Sequence, residues 1–192
     1  MSYFARRIFR LYWVVLLVLF ASGCGVNTNR LFTQDDLPRL VLQPPEVISG
    51  RSIPRITPDE VELSFFSIGG NRPTGYYGYT YVQSEGFEIN SYAWLYLDAT
   101  DAANTLKPLV KKLLADPWRT EELSASKIDG LGEEAYFLKE DTDSRVTYVY
   151  IWRASNVILV LAVEEMPRQG QYKKYKESDV RALADKMQKH TR

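Results

Sequence analysis

The run Val157-Ile158-Leu159-Val160-Leu161-Ala162-Val163 puts an apolar side chain at every position. Successive side chains of a strand leave on opposite faces, so a strand of this composition needs apolar cover on both sides of its sheet. A sheet with one wet face is thereby excluded. Ser155-Asn156 stands directly before the run, and Val146 to Arg153 stands before that, with Tyr148, Tyr150 and Trp152 at alternate positions. A two-residue gap between strands predicts a tight hairpin and antiparallel pairing.

The same period of two recurs upstream. In Phe87 to Leu97, Tyr92, Trp94 and Tyr96 point one way and Ala93, Leu95 and Leu97 the other. The spacing predicts further strands over Glu60 to Ile68, Leu123 to Ile128 and Ala135 to Leu138. Ala102, Ala103, Leu106, Leu109, Val110, Leu113 and Leu114 recur at helical spacing behind an N-cap at Asp98 or Thr100. Pro108 within that helix is expected to kink it or to start a second short helix. A last helix from Ser178 carries Val180, Leu183, Ala184 and Met187 as its stripe. These elements predict an α+β fold: a mainly antiparallel β-sheet of about five to six strands with a central helix and a C-terminal helix packed on it, over residues 59–192. Before it, Thr33 to Pro38 offers a capped turn that Pro38 soon disturbs. Pro44, Pro45, Pro54 and Pro58 then predict an extended segment running over the surface.

The N-terminus carries an address. Arg6, Arg7 and Arg10 precede an apolar run from Leu11 to Ala21 that ends at Ser22-Gly23-Cys24, in the order of a signal peptide's charged, apolar and small-residue regions. Its 11 residues fall short of the roughly 20 that cross a bilayer's hydrocarbon core as a helix. Cys24 is the only cysteine, so it has no disulfide partner within the chain. Ala21-Ser22-Gly23-Cys24 resembles the lipobox of bacterial lipoproteins, with Ala21 where leucine is commonest. The resemblance implies cleavage after Gly23, lipid on Cys24, and a cell-envelope protein anchored on the extracytoplasmic side. Residues 1–23 are then the signal peptide, and 24–58 the lipidated tether with its proline-rich continuation.

Removing three arginines from 24 basic residues against 24 acidic ones leaves a net charge of −3 for residues 24–192. An acidic chain without a basic cluster argues against nucleic acid as a partner. It also leaves anchoring to the lipid alone.

Asp36-Leu37-Pro38, the strand-to-helix passage from Tyr96 to Leu114, the turn Gly130-Leu131-Gly132-Glu133-Glu134-Ala135, and Trp152-Arg153 to Leu161 before a terminal helix together resemble the Mog1/PsbP-like α/β sandwich and the extracellular sensor-type domains of bacterial lipoproteins and kinases. Glu133 stands where such turns usually carry aspartate. The resemblance implies accessory, sensory or assembly roles, and transfers no catalytic residues.

The chemistry-bearing residues are few. His190 is the sole histidine and lies near the C-terminus, where a solvated tail is expected. No nitrogen or sulfur set of metal-ligand type is present, and no cofactor is implied. Gly130-Leu131-Gly132 is a turn rather than a phosphate loop. Asp129, Glu133, Glu134, Asp141 and Asp143 are spaced unlike an EF-hand, and Glu164-Glu165 ends a strand. Aromatic residues are the main functional candidates: Tyr77, Tyr79 and Tyr81 beside Trp94 and Tyr96 and beside Tyr148, Tyr150 and Trp152, the last three expected to repeat the face of the Tyr92 strand. Such rows either line a groove for a small ligand, an envelope polymer or a protein, or pack beneath a helix. The expected role is a non-catalytic binding, sensor or accessory module of the envelope. The alternatives are a hydrolase using paired carboxylates and a structural subunit of an envelope complex.

Overall fold

The computed structural model describes residues 30–47, 51–55, 71–84, 87–115, 124–142, 145–165 and 175–192 of the chain. The signal peptide, Cys24, the strand expected over Glu60 to Ile68, and Asp143 lie outside them. Among the described residues seven strands form one antiparallel sheet: β1 (Arg51–Arg55), β2 (Gly75–Ser84), β3 (Phe87–Leu95), β4 (Ser124–Ile128), β5 (Glu134–Asp141), β6 (Val146–Ala154) and β7 (Val157–Glu165). Their order across the sheet is β1-β2-β3-β7-β6-β5-β4, so the all-apolar strand β7 stands at the centre.

Both faces of β7 are covered. Ile158 and Val160 join Tyr76, Trp94, Leu138, Val149 and Ile151 beneath α2 (Ala99–Leu114), which contributes Ala102, Leu106, Leu109 and Val110. Val157, Leu159, Leu161 and Val163 face the other way, onto Val180, Leu183, Ala184 and Met187 of α3 (Glu177–Lys189). The result is a sheet between two helical layers.

Asp98 starts α2 by accepting hydrogen bonds from the backbone N–H groups of Thr100 and Asp101, each at 2.8 Å. Pro108 neither splits α2 nor ends it. The carbonyl that its missing N–H leaves unpaired belongs to Asn104, four residues back on the exposed side, where water can satisfy it. No described helix is long and apolar enough to cross a membrane.

The N-terminal segment departs from the surface path expected of it. Thr33 and Asp36 open a 3-10 turn (Gln34–Asp36) that runs into α1 (Leu37–Leu40), with Pro38 in the first turn, where its missing N–H removes no helical bond. Phe32, Leu37, Leu40, Val41, Leu42 and Val47 are buried on the α3 side of the sheet. This segment is therefore part of the core. The prolines are absorbed rather than excluding regular structure: Pro44 and Pro45 open a second 3-10 turn, and Pro54 lies in β1 at the sheet's edge, where a strand can spare a donor.

Asn156 fixes the segment in place. Its side-chain Oδ1 accepts from the Phe32 N–H at 2.8 Å, while Nδ2 donates to the Phe32 carbonyl at 3.0 Å and the Tyr96 carbonyl at 3.1 Å. Ser155, with φ of 55°, supplies the positive φ that a two-residue hairpin turn requires and leaves Asn156 facing inward. Nearby, Gly132 has φ of +51°, and a Cβ there would collide with the Arg153 carbonyl, so the Gly130–Glu133 turn depends on glycine.

Asn156→Ala would strip partners from three buried backbone groups at once. We expect a loss of about 2 to 4 kcal/mol in urea unfolding, against less than about 0.5 kcal/mol for Ala at exposed Lys111. A loss under about 1 kcal/mol at position 156 would contradict this account.

Candidate functional site

The structure separates the aromatic rows that the sequence brought together. Trp94 and Tyr96 are buried beneath α2, whereas Tyr148, Tyr150 and Trp152 are buried on the opposite face, toward α3. Tyr148, Tyr150 and Trp152 therefore do not continue the face of the Tyr92 strand. Burial pushes the Tyr150 hydroxyl up to about 12 and moves the Tyr96 hydroxyl upward as well. Tyr81 is buried under the N-terminal segment, and its hydroxyl donates to the Leu42 carbonyl. Of the eight aromatic candidates, only Tyr77 and Tyr79 keep part of their rings exposed.

Tyr77 and Tyr79 lie two residues apart on β2, so both project toward the α3 side. Their ring centroids are 5.7 Å apart in an edge-to-face arrangement, and the Tyr77 hydroxyl donates to the Tyr79 hydroxyl at 3.3 Å. That bond, and then partial burial, hold the Tyr77 proton and raise its pKa to about 12. Tyr79 leads on to Tyr81, with ring centroids again 5.7 Å apart. Gly78 between the first two has no side chain because the Tyr92 ring occupies that space on the other face. The three tyrosines thus form a ledge, open at Tyr77 and Tyr79 and closed at Tyr81.

Near the buried end of this ledge stands a pair that sequence reasoning missed. His190 Nε2 lies 3.1 Å from Glu46 Oε1, with both side chains about a quarter exposed. His190 is the C-cap of α3, and its carbonyl accepts from Arg39 at 3.2 Å, so it is packed rather than a solvated tail. No local pattern could have signalled this, because Glu46 is 144 residues away in sequence. A carboxylate accepts, so the imidazole keeps its proton on Nε2. Nδ1 is buried, with no hydrogen-bond partner among the described residues. The pair ties α3 to the N-terminal segment.

Three of the acids singled out in sequence have partners of their own. Glu133 pairs with Arg153 and accepts from the Ser155 N–H at 2.8 Å. Burial alone would raise the Glu134 carboxyl, but the Tyr136 hydroxyl with Lys107 and Lys127 outweighs burial and holds it below the usual range. Asp141 lies 3.6 Å from Lys139. Among the described residues, no group of three or more His, Cys, Asp or Glu side chains is placed to hold a metal ion. The Gly130–Glu133 turn is docked on α3: the Gly132 N–H donates to Gln188, and Arg181 donates to the Asp129 carbonyl.

No family model matches the chain, and no curated protein matches it. Among solved structures it is similar to the extracellular domain of PknH from Mycobacterium tuberculosis, with a TM-score of 0.53 and 13% identity over 83% of this chain and 98% of that one. At that identity the likeness speaks for the fold.

If the Tyr79 hydroxyl is what holds the Tyr77 proton, Tyr79→Phe removes the acceptor and moves Tyr77 ionisation from about 12 down toward the ordinary value of 10.0. NMR of tyrosines labelled at the ring carbon bearing the hydroxyl reads this directly. An unmoved Tyr77 would show that burial alone sets its value.

Proposed function

We propose that this chain is a lipid-anchored module of the bacterial cell envelope that binds rather than reacts. In this reading residues 1–23 are removed, Cys24 carries lipid, a short tether follows, and the folded unit begins near Arg30. The observation that carries the reading is the likeness of 83% of the chain to an extracellular domain, joined to a signal-like N-terminus ending at the single cysteine. The fold likeness supports a position outside the cytoplasm, and the lipobox resemblance supports the anchor.

The Mog1/PsbP-like and sensor-type resemblance is consistent with the same reading. A sheet enclosed by helices on both faces leaves its loops and edges, not its faces, to meet a partner. Tyr77 and Tyr79, half-buried at one side of the sheet, offer flat apolar surface with polar tips to a small ligand, an envelope polymer or a protein. Tyr148, Tyr150 and Trp152 belong to the core on the same face of the sheet, while Trp94 and Tyr96 belong to the core on the other.

Expression of the full chain with an alkyne fatty acid tests the anchor. The wild type should take up label and sediment with membranes, and Cys24→Ser should lose the label and leave the membrane fraction. An unlabelled wild type that sediments as Cys24→Ser does would remove the lipoprotein reading.

A further inference from the structure

Among the described residues three large apolar side chains are exposed: Leu97 at 73%, Leu31 at 55% and Leu114 at 40%. Leu31 and Leu97 belong to the same spot. Their chain neighbours Phe32 and Tyr96 both bring carbonyls to the single Nδ2 of Asn156, at 3.0 and 3.1 Å. The two leucines therefore leave the fold from adjacent points at the end of the molecule formed by the β6–β7 hairpin and the start of α2. Leu114, at the last position of α2, stands apart from them.

The chain also enters the fold at this end, at Arg30. Only five residues separate Arg30 from Cys24, a reach of about 20 Å even when fully extended. The strands lead away from this end for nine residues in β3, β6 and β7, about 30 Å. A tether of that length, entering here, holds the hairpin end toward whatever surface anchors it. The opposite end suits water: Glu88 and Glu164 stand directly across from one another in the β3–β7 ladder, and like charges in that position favour full solvation.

We propose that the hairpin end is a membrane-facing surface, with Leu31 and Leu97 seated in the interfacial layer of the lipid bilayer. The inference rests on the lipid anchor proposed above and adds the orientation of the domain upon it. Two exposed leucines beside the tether's entry have a use in this arrangement: they enter an apolar boundary that the tether already holds within reach. The far end, with the end of β7 and the start of α3, is then presented away from the bilayer.

The lipidated full chain, purified from membranes, is reconstituted into vesicles of phosphatidylcholine and phosphatidylglycerol containing nitroxide-labelled lipid. Cys24 is the only native cysteine and is consumed by lipid, so Leu97→Cys and Glu88→Cys each give one site for an environment-sensitive fluorophore. Both positions are exposed, and neither substitution disturbs packing. The label at 97 should be blue-shifted and quenched severalfold more by the lipid nitroxide than the label at 88. Equal quenching at both sites, on protein whose intact mass shows acylated Cys24, overturns the orientation and leaves the anchor standing. A mass without acyl chains removes the anchor and this inference together. A blue shift at 97 that grows with protein density but is insensitive to nitroxide identifies a second copy as the occupant, and also overturns the proposal.

Discussion

The rest of the molecule depends on the need of β7 for apolar neighbours on both faces. Side chains alternate across a strand, so Ile158 and Val160 had to find cover on one side and Leu159 and Leu161 on the other. α2 answers the first demand. α3 shares the second with the N-terminal segment, whose apolar residues lie in the same core. The N-terminal segment, with Phe32, Leu37, Leu40 and Leu42, fills the remainder over β2 and β3. A stretch that the prolines suggested would be peripheral is thus required by the sheet itself.

Polar contacts then decide where these layers sit. Asn156 ties the N-terminal segment and the end of β3 to the central hairpin, and the Gly130–Glu133 turn ties β5 to the last turn of α3 through Gln188. Asp36 gathers Thr33, Arg30 and Arg39 at the chain's entry, and the Thr33 N–H with Arg39 holds its carboxyl down at about 2. Each bond is modest in water, but the buried ones are costly to leave unmade. They set the register of an apolar sandwich that burial alone would specify loosely.

Most elements were legible in the sequence because each is announced locally: the strands by their period of two, α2 by its cap and stripe, the hairpin by Ser155-Asn156. What could not be read was the phase between strands. Periodicity shows that Trp94 and Trp152 each belong to an alternating row, but only register says that Trp94 lies opposite Ile158 while Trp152 lies opposite Leu159, on the other face. The two rows looked like one surface for that reason. The Glu46–His190 pair was illegible for a related one: its members meet only because the core brings both chain ends together. Pro54 misled because a proline excludes a central strand but not an edge strand, and edge position is a property of the whole sheet. The candidate site shrank from eight aromatics to the two whose neighbours leave them uncovered.

The order of strands also has a meaning in time. Among the described residues β7 is the last strand along the chain, yet it is the one that links β1-β2-β3 on one side to β4-β5-β6 on the other. A chain produced from its N-terminus can form the β2–β3 hairpin early, but its two half-sheets cannot join until residue 157 and beyond have arrived. Pairing of Phe87–Leu95 with Val157–Glu165 closes a loop of more than sixty residues, a slow and late event. Until then the apolar faces of the two half-sheets have no complete partner, so the strand that most needs cover is also the one that completes the domain.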